Sequence, residues 1–88
     1  MDAQAITMLL EAACQQCDSW EYYPDEDAWG LGDSLEIVRR RGYVIIIELE
    51  TGQRRYERTW TRLKHYCDAA VRAHLLRSPF VFEHLVMP

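Results

Sequence analysis

Residues 43–49 form the one dense run of β-branched residues in the sequence, and the run lies between Gly42 and Gly52. Valine and isoleucine favour strands because their branched side chains pack well on a pleated surface. Flanking glycines are typical of the turns that end a strand. The run therefore predicts the central strand of a small sheet, with the other segments expected beside it or packed over it.

Residues 34–39 are expected to pair with this strand through a three-residue connection that ends at Gly42. That register places one apolar set on the face that both helices are expected to cover: Leu35, Ile37, Ile45, Ile47 and Leu49, with Ile37 opposite Ile45 and Leu35 opposite Ile47. The opposite face then carries Val38, Val44 and Ile46, followed by Glu36, Glu48 and Glu50.

A third strand is expected after Gly52, and the pattern leaves its register open between two alternatives. A three-residue loop pairs Ile46 with Tyr56 and Glu48 with Arg54. A two- or four-residue loop pairs Ile47 with Tyr56 and Glu48 with Arg55.

Two amphipathic helices flank these strands. The first is predicted over residues 3–17, with apolar residues at helical spacing: Ile6, Leu9, Leu10, Ala13, Cys14 and Cys17. The second is predicted to start at a cap, Thr59 or Thr61, and to end near Arg77. Its apolar stripe is Trp60, Leu63, Cys67, Ala70, Val71 and His74.

The order α-β-β-β-α, followed by an apolar tail, predicts one α+β domain over residues 1–88, in which a three-stranded antiparallel meander and its two flanking helices form two layers. The first residues lack the pattern of a signal peptide. No apolar run reaches the roughly 20 residues that a membrane span needs. We therefore expect a cytoplasmic protein that does not enter a membrane.

Residues 18–33 combine acids with aromatic residues, and Pro24, Gly30 and Gly32 interrupt them. Trp20 and Tyr22 can begin a short edge strand that Pro24 would end. The remainder is predicted to be a loop of about a dozen residues, a length that is often functional.

No catalytic, metal or cofactor motif is predicted. Cys14 and Cys17 lie at the C-terminal end of a predicted helix, where the helix dipole opposes thiolate formation, so core packing is favoured over redox chemistry. A zinc site with Cys67 is disfavoured because His65 lies on the far side of the helix and His74 lies roughly 10 Å along it. We expect a protein that is not an enzyme.

Acidic and basic residues are distributed unevenly along the chain. Residues 1–38 contain nine acids and no lysine or arginine, whereas residues 39–88 contain ten bases and five acids, which gives a net charge of −4. A chain polarised in this way can attract a charged partner although its net charge is small.

An acidic-aromatic surface is the favoured binding site, with a basic protein as its partner. It comprises Trp20, Glu21, Tyr22, Tyr23, Asp25, Glu26, Asp27 and Trp29. The alternative is that Trp20 and Trp29 cover the ends of the core. Small acidic domains without an active site are often inhibitors. Phage-encoded antagonists of host proteins, anti-CRISPR proteins included, share this general character.

An arginine-rich hairpin is the alternative site, for nucleic acid. Its candidates are Arg39, Arg40, Arg41, Arg54, Arg55 and Arg58. Tyr43 and Tyr56 lie among them, and arginine with aromatics on a sheet can bind phosphates and stack on bases. The pI of 5.2 argues against this use, as does the prospect that the arginines pair with glutamates across the sheet.

The tail is too apolar to extend into water, so it must pack on the core, add a strand or meet a second chain. Residues 81–85 have strand character. We predict a homodimer with the tail at its interface and the second helix as a further candidate for that interface. The self-association candidates are Phe80, Phe82, Leu85 and Val86.

Overall fold

The computed structural model describes residues 2–13, 20–32 and 34–85. Two helices flank five strands, and a short 3₁₀ helix follows. The elements are α1 (Ala3–Ala13), β1 (Trp20–Tyr23), β2 (Ala28–Leu31), β3 (Leu35–Arg40), β4 (Tyr43–Glu48), β5 (Arg54–Glu57), α2 (Trp60–Leu75) and the 3₁₀ helix Phe82–His84. The strands form one antiparallel meander in the order β1-β2-β3-β4-β5. The α+β class is confirmed.

The sheet has five strands where three were predicted, because most of residues 18–33 form a hairpin. The turn between β1 and β2 is closed by the backbone N–H groups of Glu26 and Asp27, which donate to Tyr23 and Pro24. Asp27 takes up a left-handed backbone with φ of 50°, which aspartate tolerates better than most residues. Prediction of a long loop was therefore wrong, and β3 rather than β4 is the central strand.

The register of β3 against β4 differs by one residue from the predicted one. Arg40 pairs with Tyr43 across a two-residue connection, and Ile37 therefore lies opposite Ile46 rather than Ile45. Residues 44–47 are all apolar, so alternation alone could not select a face and only the turn length decided it. Val44 and Ile46 thus face the helices, while Ile45 and Ile47 face away.

The connection between β4 and β5 has five residues, 49–53, and the pairing of these strands matches neither predicted alternative. Ile45 lies opposite Tyr56, and the Glu48 N–H donates to the Gln53 carbonyl at 2.9 Å. Leu49, expected on the core face, lies instead in this exposed turn.

Both helices pack on the same face of the sheet. α1 contributes Ile6 and Leu10 to the core, as the sequence predicted, and α2 contributes a larger set: Leu63, Tyr66, Cys67, Ala70 and Val71. The predicted Thr59 cap is confirmed, since its side chain accepts a hydrogen bond from the Arg62 N–H. Cys14 and Cys17, which were predicted to extend the apolar stripe of α1, lie outside the described residues.

The segment after α2 packs on the core of its own chain. Phe80 and Phe82 are buried, and the Phe82 ring meets Tyr66 edge to face with centroids 5.8 Å apart. The Phe82 N–H donates to the buried carboxylate of Glu48 at 2.9 Å. The strand character of residues 81–85 was misleading, because this segment forms the 3₁₀ helix.

None of the helices in the described ranges combines the length and the apolar character that a bilayer crossing requires.

Candidate functional site

The two faces of the sheet carry different side chains because successive residues of a strand point to opposite sides. We call the helix-covered side the inner face: Trp20, Tyr22, Trp29, Leu31, Leu35, Ile37, Arg39, Val44, Ile46, Glu48, Arg55 and Glu57. We call the other side the open face: Glu21, Tyr23, Ala28, Gly30, Glu36, Val38, Arg40, Tyr43, Ile45, Ile47, Arg54 and Tyr56.

An apolar row crosses the open face. The strand registers align Tyr23, Ala28, Val38, Ile45 and Tyr56 across all five strands. Three of these, Ala28, Val38 and Ile45, form an apolar cluster separate from the main core, to which no residue of the described helices belongs. The row thus has an apolar centre made by the sheet itself and a tyrosine at each end.

The tyrosines at the two ends of the row are exposed to solvent. Tyr23 is 42% exposed and Tyr56 is 62% exposed. The Tyr56 ring lies 6.0 Å from that of Tyr43, so two aromatic side chains mark the β4–β5 end. Ala28, Val38 and Ile45 between them are at most 8% exposed, so the apolar area that this face presents to solvent comes from the tyrosines and the partly exposed Ile47. Exposed tyrosine is common in binding surfaces.

A shallow groove runs beside this row. Its volume is about 390 Å³, and it is lined by Asp25, Glu26, Glu36, Val38, Arg40, Ile45, Ile47 and Arg54. Aliphatic side chains form its floor, and carboxylates and guanidinium groups form its rim. The groove brings the turn between β1 and β2 next to the open face.

Carboxylates dominate the β1–β3 side of the open face: Glu21, Asp25, Glu26 and Glu36. In the described part of the chain, the two ion pairs observed between side chains are Arg39–Asp27 and Arg62–Glu57, and neither involves these four acids. Their charges are therefore available to a partner.

Tyr23 lies among these acids. Its hydroxyl donates to Glu21 Oε2 at 2.8 Å. This hydrogen bond raises the pKa of Tyr23 above its usual value of 10.0, and burial and the nearby carboxylates raise it further. The ring lies against Gly30, where an added Cβ atom would come within 3.1 Å of Tyr23 Cε2. Glycine at this position lets the aromatic ring lie close to the sheet.

The turn that presents Asp25 and Glu26 is held by Asp27. The Asp27 carboxylate accepts from Arg39 Nε at 2.6 Å and from the Tyr22 hydroxyl at 3.1 Å. The Asp27 carbonyl also accepts from the Arg39 N–H at 2.9 Å. Asp27 thus has a structural part in this turn, and its two acidic neighbours are the ones exposed to solvent.

The structure divides the predicted acidic-aromatic set. Trp29 is only 2% exposed, and its Nε1 donates to Thr7 Oγ1 at 3.2 Å beneath the sheet. Trp20 is half-buried on the same inner face, and Tyr22 stacks on Trp29 with ring centroids 4.9 Å apart. The placement of Trp29 on a partner-binding surface was therefore wrong, because β2 turns its side chain into the core.

The predicted arginine set is divided as well. Arg40 and Arg54 lie on the open face, and Arg41 is in the turn after β3. Arg39 is engaged by Asp27, and Arg55 lies on the inner face with its guanidinium carbon 4.5 Å from the centre of the Phe82 ring. Arg58 follows β5 and is exposed. These six side chains do not form one continuous basic strip.

Metal ligands do not converge within residues 2–13, 20–32 and 34–85, where no group of three histidine, cysteine, aspartate or glutamate side chains could hold an ion. Cys67 is buried in the main core.

The apolar half of the open face was missed as a site. Val38, Ile45, Ile47 and Tyr56 were treated as sheet residues, and Glu36 as a polar end of a strand. The signal was present in the alternation of Glu36, Val38 and Arg40 along β3, but only the correct register aligns it with β4. Comparison of the chain with known protein families, characterised proteins and solved structures finds no match.

Proposed function

We propose that this protein is a non-enzymatic protein-binding domain, of the kind that inhibits a cytoplasmic target, and that its open face is the working surface. The observation that carries the proposal is the set of exposed or partly exposed apolar side chains on this face, Tyr23, Ile47 and Tyr56, bordered by four carboxylates that are outside the ion pairs observed in the described residues. A surface that is apolar at its centre and charged at its rim is the usual anatomy of a protein interface.

The sign of the rim charge favours a basic partner. The groove and its borders hold Glu21, Asp25, Glu26 and Glu36 against Arg40 and Arg54. Complementary charge accelerates encounter and selects the partner, while the exposed surface of Tyr23, Ile47 and Tyr56 supplies the apolar contact area. Exposed acids of this kind add little to the stability of the fold.

A matched pair of charge-reversed variants tests the proposal. Asp25→Lys with Glu26→Lys should abolish capture of the partner from a cell lysate treated with nuclease. Glu11→Lys with Glu83→Lys changes the net charge equally at two exposed acids away from the open face and should retain capture. If the two variants capture the same proteins equally well, the open face is not the working surface.

Nucleic-acid binding through the same face is the second candidate. Arg40 and Arg54 lie on the open face with Tyr43 and Tyr56, whose tilted rings are 6.0 Å apart, and stacking on exposed aromatics is a common mode of single-strand recognition. Binding that is lost in Arg40→Glu with Arg54→Glu, and that falls steeply with salt, would favour it. The neighbouring carboxylates would repel phosphate, so we rank it second.

Self-association remains a prediction. Phe80 and Phe82 are buried in the core of their own chain, and Leu85 is partly buried, while Val86 lies outside the described residues. A homodimer would therefore have to use exposed residues nearby, such as Leu75 at the end of α2 and Leu76 directly after it. Sedimentation of the full-length chain at several concentrations tests this directly.

Truncation after Ser78 separates the two roles of the tail. Because it would remove both buried phenylalanines, we expect the truncated chain to unfold. A folded, monomeric product would instead support the tail as a dimer interface.

A further inference from the structure

We infer that the occupant of the open face is an amphipathic α-helix of another protein, lying across the strands with an arginine over Tyr23. This inference rests on the proposed function and specifies the partner. It follows from what the open face offers to a partner's backbone, from the length of the apolar row, and from the surroundings of Tyr23.

The segment that binds here must form hydrogen bonds for its own backbone N–H and C=O groups. The N–H and C=O groups of a sheet are used in the strand ladders, so a sheet face presents side chains rather than backbone partners. An extended peptide buried on Tyr23, Ile47 and Tyr56, the exposed or partly exposed apolar side chains of this face, would leave its own polar backbone groups without hydrogen bonds, at considerable cost. A helix carries all its backbone hydrogen bonds internally and presents only side chains.

The length of the row sets the length of the helix. Neighbouring strands lie about 4.8 Å apart, so the four spacings from β1 to β5 span roughly 19 Å. A helix rises 1.5 Å per residue, and thus about 13 residues cross from Tyr23 to Tyr56. Apolar residues at i, i+3 or i+4, and i+7 would form the stripe that meets the row.

The β1 end of the row is suited to a guanidinium group. The Tyr23 ring lies against the sheet at Gly30 and is partly exposed, with its hydroxyl bonded to Glu21. Glu21 and Glu36 flank Gly30 on its two neighbouring strands. A guanidinium can stack on an aromatic ring while its edge N–H groups reach carboxylates. An ammonium group lacks the planar fork, so it cannot stack flat on the ring while pairing with a carboxylate through two parallel N–H groups.

A second copy of this chain fits the same face poorly. The open face and its adjoining turn carry four carboxylates and two guanidinium groups, so two copies would bring together like charges in excess. Like charges facing each other oppose association. The charge layout thus favours a basic partner over self-association at this surface.

Synthetic helical peptides of about 14 residues provide the probe. All share a leucine stripe at helical spacing and an alanine background, and they differ only at one terminal position, which is arginine, lysine or the neutral isostere citrulline. A further peptide scrambles the leucine spacing while keeping the arginine. Binding to the full-length chain is measured by NMR, which locates the contact, and by fluorescence anisotropy.

We expect the arginine peptide to shift resonances of Tyr23, Ile47 and Tyr56, and to bind roughly three- to tenfold more tightly than the citrulline peptide. Tyr23→Leu should reduce that difference, because it removes the aromatic ring and leaves only the attraction of Glu21 and Glu36. Tyr23→Phe keeps the ring and should retain the difference. The scrambled peptide should not bind.

Equal affinity of the arginine and citrulline peptides, or shifts confined to other surfaces, would overturn the inference. Failure of every peptide to bind would overturn it too. None of these results bears on the proposed function, which the charge-reversed variants judge separately. Partner capture could be lost in Asp25→Lys with Glu26→Lys while the arginine and citrulline peptides bind equally well. That result would leave the open face as the binding site and exclude only the arginine-bearing helix.

Discussion

The inner and open faces of this sheet are built from the same strands, but their carboxylates differ in whether they are bonded within the fold. On the inner face, buried Glu48 accepts from Thr51 and from the Phe82 N–H, and buried Glu57 accepts from Tyr66 and Arg62. On the open face and in the adjoining β1–β2 turn, Glu21, Asp25, Glu26 and Glu36 lie outside the ion pairs observed in the described ranges. Buried carboxylates need partners within the fold, whereas exposed ones remain able to serve another molecule.

Successive side chains of each strand point to opposite faces, so the residues that stabilise the fold and the residues that are available for binding lie on different sides of the sheet. Residues facing the helices are expected to control unfolding, and residues facing outward are expected to control association. Each of the first three predictions compares a buried residue with a residue of the open face, and the fourth concerns one residue of the open face.

The largest difference is expected between Ile46 and Ile47. Ile46 is fully buried among core residues, so Ile46→Ala should lower the free energy of unfolding by about 3–4 kcal/mol, whereas Ile47→Ala should cost about 1 kcal/mol. Partner capture should fall in Ile47→Ala while its fold is retained. Denaturant unfolding measures both costs, and equal values would contradict the assignment of the two faces.

Glu48 and Glu36 provide the second pair. Glu48→Ala leaves the Phe82 N–H and the Thr51 hydroxyl without their acceptor, and should lower stability by about 2–3 kcal/mol. Glu36→Ala should change it by less than about 0.5 kcal/mol. Thermal unfolding at fixed pH compares them, and a stable Glu48→Ala variant would show that the segment after α2 is held mainly by its rings.

Tyr66 and Tyr56 form the third pair. The buried Tyr66 hydroxyl donates to Glu57 Oε1 at 2.9 Å, so Tyr66→Phe should cost about 1–2 kcal/mol. The Tyr56 side chain is 62% exposed, and Tyr56→Phe should be close to neutral in stability. Chemical denaturation under identical conditions provides the comparison, and an equal effect of the two changes would argue against the Tyr66–Glu57 bond.

The smallest effect concerns the ionisation of Tyr23. Because its pKa in the folded chain is raised above the usual 10.0 by the bond to Glu21 and by its surroundings, folding favours the neutral phenol. The associated stability is present below pH 10 and is lost as pH rises through the raised pKa. Ultraviolet titration should show late ionisation of Tyr23, and Glu21→Gln should move it earlier; an unchanged titration curve would contradict the bond.

Much of the fold could be predicted from residue patterns, and the failures have physical causes. Ile6, Leu10 and Leu63 belong to apolar patterns that predicted the two helices, because helical spacing repeats over several turns. Residues 44–47 predicted a strand but not its register, since with four consecutive apolar residues either alternate set of side chains could face the core. The β1–β2 hairpin was missed because its strands have only four residues each, and Pro24 and Gly30 resemble loop residues.

The candidate site could be predicted only in part. The sequence alone selected Glu21, Tyr23, Asp25 and Glu26, because acidic and aromatic residue types are clustered along this stretch of the chain. The apolar row depends on alignment across five strands, and that alignment depends on turn lengths that short-range patterns leave ambiguous. Trp29 was assigned to the surface because the loop prediction removed the alternation that would have turned it inward.

The meander order should also determine how quickly the chain folds. Every strand pairs with its neighbour in sequence, so the sheet can grow hairpin by hairpin without first closing a long loop, and such local topologies fold rapidly. The bond from the Phe82 N–H to Glu48 joins residues 34 positions apart. Its loop-closure entropy is larger, so the segment after α2 should dock last and detach first during unfolding.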